Sequence, residues 1–260
     1  MFNTQHILFM VISAILTIVG LILCKLFIKE EKWKKFVLKV AAILTVLIHF
    51  STVYVDFFAN KGTAVVESTL LLPIYPCNVL MWLLVICAFL KNSNSKFAKV
   101  LYEFTFYAGV VCGLIGIIFN ENYASNPTLA NWFSLRGLLS HVTMVYGCLY
   151  ILVGGFIKID LTNCFSCFCG LVFFLIDGFV INGIYKIFGL KSCNSMYLEQ
   201  LPFPDLPWLN TYVMGLMGLL LVFVFAEIFE LITKKKEDRS LYKLFKIIQK
   251  KKENNKWQNF

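Results

Sequence analysis

Seven stretches of about twenty mostly apolar residues, near 4–28, 36–59, 71–90, 100–119, 137–157, 163–188 and 207–232, leave this chain few choices of fold. At 1.5 Å per residue, a helix of that length crosses the ~30 Å hydrocarbon core of a bilayer. Backbone amides in lipid have to be satisfied within their own segment, and an α-helix does that. The polar stretches between the runs are too short to bury a soluble core, and 59% of the 260 residues are hydrophobic. The expected fold is an all-α polytopic membrane protein. It has one bundle of about seven transmembrane helices over 1–232 and a basic tail over 233–260. The opening MFNTQHILFM has no basic n-region and no small-residue cleavage site, so it reads as a retained first span.

Lysine placement gives the orientation. Lys29, Lys32, Lys34 and Lys35 fill the first connector, Lys91, Lys96 and Lys99 the third, and Lys158 opens the fifth. The alternate connectors, near 60–70, 120–136 and 189–206, are poorer in basic residues. The positive-inside rule then puts the N-terminus outside and the C-terminus in the cytoplasm. Much of the net charge of +9 lies in KKKEDRSLYKLFKIIQKKKENNKW. A basic segment directly after a span points to anionic lipid headgroups and not to nucleic acid. Leu241, Leu244, Phe245, Ile247 and Ile248 recur there near helical spacing, which suggests an amphipathic helix along the inner membrane surface. A solvated tail is the other reading. Gly109, Gly113 and Gly116, and Gly215 and Gly218, would let spans approach closely.

Among the nine cysteines, Cys24, Cys87, Cys112 and Cys148 lie within apolar runs and read as packing. Cys164, Cys167 and Cys169 form a C-x-x-C-x-C spacing with no histidine or second cysteine pair to complete a zinc site, so no metal is expected. No other cofactor is called for. Cys77 differs from these because Pro73 and Pro76 bracket the entrance to an apolar helix in LLPIYPCNVLMW and place Cys77 just inside it. Proline is tolerated at the first helical position, so Pro76 fixes where the helix starts and where the thiol points.

Polar side chains inside a span need a partner or a water-filled cavity, so those at one depth deserve comparison. Cys77 and His141 each lie about six residues into spans of the same direction, ~9 Å below the outer surface. The second and sixth spans bring His49, Asp56, Asp177 and Asn182 to the same half of the bundle, and Asn78 joins them. Arg136, at the mouth of the fifth span, can meet a lipid phosphate or snorkel to ordinary headgroups. Glu103, Glu227 and Glu230 fall toward the cytoplasmic end, within reach of lysines, and read as structural. A thiol beside an imidazole suits nucleophilic acyl chemistry, in which the base takes the thiol's proton. Asn78 or Asn182 would then stabilise the oxyanion. The bland alternative has His141 bonding a carbonyl or Ser140 and pinning two helices together.

Three segments, LPIYPCN at 72–78, FSLRGLLSH at 133–141 and NSMYLEQLPFP at 194–204, resemble signature segments of the YwaF-type bacterial integral membrane proteins. That family is similar to a eukaryotic transmembrane acyltransferase that makes polyunsaturated ether phospholipids. It is more distantly similar to the androgen-induced intramembrane hydrolases of fatty-acid esters. The resemblance implies a multi-pass protein of the bacterial plasma membrane acting on membrane lipids, with Cys77 as nucleophile and His141 as base. This chain departs from it at Tyr75, where many members have histidine, and in the loop reading Ser195-Met196-Tyr197-Leu198. The leading expectation is an intramembrane acyltransferase or lipid hydrolase. A transport or binding protein, and a structural membrane subunit, are the alternatives.

Overall fold

The structure, a computed structural model, describes residues 2–59, 72–92, 95–189, 193–201 and 205–257, with side chains as far as Gln249 and without those of Asp56 and Ala59. Its helices are α1 (Thr4–Phe27), α2 (Glu31–Ala59), α3 (Pro76–Phe89), α4 (Lys96–Ile118), the short α5 (Glu121–Ser125), α6 (Trp132–Val153), α7 (Asn163–Ile187), α8 (Thr211–Thr233) and α9 (Ser240–Trp257). Single 3-10 turns occupy Ser195–Tyr197 and Lys236–Asp238. Among the described residues there is no strand. The chain is an all-α polytopic membrane protein, in which α1, α2, α4, α6, α7 and α8 are each long and apolar enough to cross a bilayer.

The third expected span, near 71–90, is the exception. Its helix has 14 residues, ~21 Å at 1.5 Å per residue, short of the ~30 Å core. It still runs between the two ends of the bundle. Ile74, just before it, accepts from Met196 N at 3.0 Å, and Leu90, just after it, accepts from Lys35 Nζ at 3.2 Å. The same two ends recur elsewhere. Asn3 Nδ2 donates to Pro127 O at 2.8 Å at one, and Lys25 Nζ to Val153 O at 3.4 Å at the other. The lysine-rich connectors therefore gather at one end, as the spacing predicts; the connector near 60–70 lies outside the described residues.

Local chemistry sets the helix limits. Asn3, Asn120, Asn131 and Asn210 cap α1, α5, α6 and α8 through their side-chain oxygens, and Ser95 caps α4. Asn131 starts α6 five residues before the expected 137, which carries Arg136 inside the helix. At the other end Glu230, fully buried, clasps the start of α9. It accepts from Lys234 Nζ at 2.8 Å and from Ser240 N and Oγ at 2.7 Å each, while Arg239 donates to the closing carbonyls of α8. Glu103 likewise meets Lys99, at 3.6 Å, and also Ser166. Both carboxylates thus have the lysine neighbours expected of them.

The core centres on α4, which packs against α3, α6 and α7, while α2 packs on α3 and α6, α1 on α6, and α8 on α7. Small residues bring α4 and α6 together: a Cβ at Gly109 would lie 2.2 Å from Cys148 Sγ, and one at Gly113 2.4 Å from a Val145 methyl. Gly218 on α8 differs, since a Cβ there meets nothing within 4 Å. The exposed apolar faces of α1 and α8, such as Leu16 and Leu216, are where lipid would sit.

Sidedness is open to a direct test. A cysteine placed at Ala130 is expected to react with an impermeant maleimide added outside intact cells, above the background of the parent chain. One placed at Lys158 is expected to stay unlabelled. The reverse pattern would invert the bundle.

Candidate functional site

Two irregular segments meet at the lysine-poor end. Leu72–Tyr75 leads into α3 in extended conformation, with Tyr75 at φ −105°, ψ 151° and Pro76 at the first helical position. Ile74 is fully buried, and its carbonyl accepts from Met196 N and from Ser195 Oγ at 3.1 Å. Non-helical backbone at membrane depth is tolerated where protein covers it or where it lines a cavity. Here the two segments cover one another, and Cys77 stands in the first turn beyond them.

The Cys77 thiol donates to Cys112 O on α4 at 3.8 Å. His141 of α6 rests on the same helix one turn further on, its ring lying over Gly116. A Cβ there would be 2.2 Å from Cδ2 and 2.3 Å from Nε2. Residues four apart on a helix are separated by ~6 Å along its axis. The structure thus brings Cys77 and His141 to neighbouring turns of α4, both partly exposed; among the described residues no hydrogen bond joins them. His141 Nδ1 bonds Gly137 O at 2.7 Å. A carbonyl only accepts, so Nδ1 carries the proton of the neutral ring and Nε2 has the lone pair. That bond stays within α6, so it does not pin two helices together as the alternative reading has it, and Nε2 keeps its lone pair.

The remaining expected residues divide. Tyr75 packs its ring on Tyr197, centroids 5.6 Å apart. Asn78 donates to Leu72 O at 3.4 Å and so ties α3 to its lead-in. Asn182 holds the outer loop: its Oδ1 accepts from Ser195 N at 2.8 Å and from Cys193 Sγ at 3.3 Å, and its Nδ2 donates to Ser195 O at 3.2 Å. Arg136 is buried and donates to His49 O at 2.9 Å, linking α6 to α2 from inside the bundle instead of snorkelling at its rim. The His49 ring lies edge-on to Phe50. Asp177 has a buried Oδ2 with no hydrogen-bond partner among the described residues. The side chain of Asp56 lies outside the described residues. Beside Gly137 the space is filled, because a Cβ there would lie 2.9–3.0 Å from the Asn120 amide.

Two residues escaped the sequence reading. His6, fully buried, bonds Ile117 O through Nε2 at 2.9 Å and stacks on Tyr123, fastening α1 to α4 just beyond Gly116. An imidazole in an apolar run was its signal. Tyr197 is the other: its segment, NSMYLEQLPFP, stood out, but nothing in it singled out this side chain. It lines a cavity of about 220 Å³ with Leu201, Asn210, Thr211 and Tyr212.

No curated protein and no solved structure matches the chain. A family model, described as the TMEM164 family, matches residues 1–227, and with most of its length covered the chain belongs to that transmembrane family.

Proposed function

We propose that this protein is an intramembrane cysteine-dependent acyltransferase or lipid hydrolase acting on acyl esters of phospholipid or lysolipid. The observation that carries this reading is the seating of a thiol and an imidazole on adjacent turns of α4, with Nε2 as the unprotonated nitrogen. Contacts between nucleophile and base are often long in empty sites and tighten around substrate. With the His141 ring held by Gly137 O, the approach on substrate binding would fall to the Cys77 side chain.

The chemistry follows from the groups present. Cys77 Sγ adds to the ester carbonyl carbon while its proton passes to His141 Nε2, and the carbonyl π pair moves onto oxygen. Collapse of that intermediate breaks the ester C–O bond, and the leaving alkoxide takes the proton from Nε2. The products are an acyl thioester on Cys77 and a lipid alcohol. A second hydroxyl, of a lysolipid or of water, adds to the thioester as Nε2 takes its proton, and the thiolate leaves and is reprotonated. The imidazole returns to its starting state after each half-reaction. Asn78 is a nearby oxyanion donor, whereas Asn182 serves by holding the loop.

The setting supports a lipid substrate, since Cys77 and His141 are both partly exposed in a bundle whose outer faces are apolar. The site would open to the outer leaflet of the cell membrane. Helix α9 fits the same picture: Leu244, Phe245 and Ile248 are exposed along it among lysines, an arrangement suited to the inner membrane surface.

The test is to incubate the pure protein in mixed micelles with a defined phospholipid and to quench it in acid. Mass spectrometry is expected to find an acyl group on the Cys77 peptide that hydroxylamine removes, and acyl exchange in the lipid fraction. Neither signal with any of several glycerophospholipids and lysolipids would count against the reading.

A further inference from the structure

Met196 and Tyr197 stand at φ 52° and φ 55°, in the left-handed region that side-chain-bearing residues rarely adopt. Two such residues in succession persist only when their surroundings hold them there, and such strain gathers at functional sites. Four groups hold this pair. Ile74 O takes Met196 N and Ser195 Oγ, and the Asn182 amide grips both backbone groups of Ser195. Thr211 Oγ1 lies 3.1 Å from Met196 O and 2.8 Å from Tyr197 O. The Met196 side chain, 2% exposed, is wedged against Gly178, where a Cβ would come within 2.9 Å of it. Segments from α7, α8 and the lead-in to α3 therefore converge to fix one direction, that of the Tyr197 side chain.

That direction is toward the start of α3. The Tyr197 ring packs on Tyr75, two residues before Cys77, and its phenol is near enough to feel the charges of Glu121, Tyr75, Cys77 and Cys112. Burial, and then those neighbours, push its ionisation above the ordinary tyrosine range, so the group stays an O–H donor throughout neutral pH. A phenol donor held in a partly buried position is suited to charge that develops on a carbonyl oxygen.

We propose that Tyr197 supplies the oxyanion-stabilising hydrogen bond of this site: its phenolic O–H, aimed by the strained turn, donates to the acyl carbonyl oxygen as Cys77 adds to the ester. No proton changes owner in this contact, and the bond strengthens as the oxygen gains charge. The inference rests on the acyl-transfer reading of Cys77 and His141 and adds a residue to it.

Tyr197→Phe separates this role from packing, because the ring stays and only the oxygen goes. In the full chain with defined phospholipid, kcat is expected to fall about 10²-fold with KM nearly unchanged, the range seen for loss of one oxyanion donor. The melting temperature and the rate of Cys77 alkylation by iodoacetamide are expected to stay as in the parent. Full kcat in Tyr197→Phe, beside an inactive Cys77→Ala, would overturn the role of Tyr197 and leave the acyl-transfer reading standing. Full activity in both would overturn that reading as well. Should the phenylalanine variant fail to purify as a monodisperse protein, Thr211→Val supplies the second measurement. It frees the carbonyls of Met196 and Tyr197 and is expected to lower kcat about tenfold at constant KM, and an unchanged kcat there would also refute the proposal.

Discussion

Cys77→Ala is expected to abolish acyl transfer and hydrolysis outright, while Cys87→Ala keeps the parental rate. No other group can take over a covalent step once its sulfur is gone. The substitution should leave the fold intact. Cys77 is partly exposed, and its thiol makes a long contact to Cys112 O at 3.8 Å, so little packing is lost. Cys87 is the sharper structural test, being 1% exposed with its thiol 3.5 Å from Thr105 Oγ1. A small cavity there should cost about 1 kcal/mol and no activity. Initial rates of product release, with size-exclusion profiles of both variants, check the pair. Activity in Cys77→Ala would return that thiol to the role of a packing residue.

Gly116→Ala should be nearly as damaging, although it touches neither reacting group by name. The new Cβ would lie 2.2–2.3 Å from two atoms of the His141 ring, and carbon atoms do not approach so closely, so the imidazole has to move. Its Nδ1 bond to Gly137 O, at 2.7 Å, allows little rotation without being broken. Loss of a positioned base costs about 10²–10⁴-fold, and kcat/KM in Gly116→Ala is expected to fall by about 10² or more, close to His141→Gln. Helix stability argues in the opposite direction, since alanine favours a helix interior by about 1 kcal/mol over glycine. Undiminished helical circular dichroism with a collapsed rate is therefore the signature sought. A parental rate in Gly116→Ala would mean that the ring does not act where it now lies.

The seven apolar runs were legible because a bilayer imposes one length and one pattern on whatever crosses it. The shared level expected of Cys77 and His141 was read only roughly, since Cys77 is the second residue of α3 and the two side chains seat one turn apart on α4. The counting was off by several residues at α6, where Asn131 caps the helix earlier than hydropathy suggests. Azimuth was harder to read. Arg136 turns inward to His49 O and Asn182 turns to Ser195, and each partner is set by packing between helices distant in sequence. The segment holding Tyr197 stood out, but the conformation of that residue was out of reach. A left-handed conformation usually announces itself through glycine or asparagine; here bonds from Ile74, more than a hundred residues away, impose it on methionine and tyrosine.

On the proposed reading, the brevity of α3 would set the depth at which substrate meets the thiol. A helix ~9 Å shorter than the hydrocarbon core would begin below the membrane surface, and a lipid-wide notch beside Pro76 would follow if the lead-in stands aside. The ester linkages of a phospholipid sit just beneath its headgroup. A lipid sliding sideways into that notch would present an ester to Cys77 while its tails stay among their neighbours, and no chain would have to leave the bilayer. The same notch would meter water. A second lipid alcohol filling it intercepts the thioester, whereas an unfilled notch wets the sulfur, so the ratio of transfer to hydrolysis should track the supply of lysolipid in the leaflet.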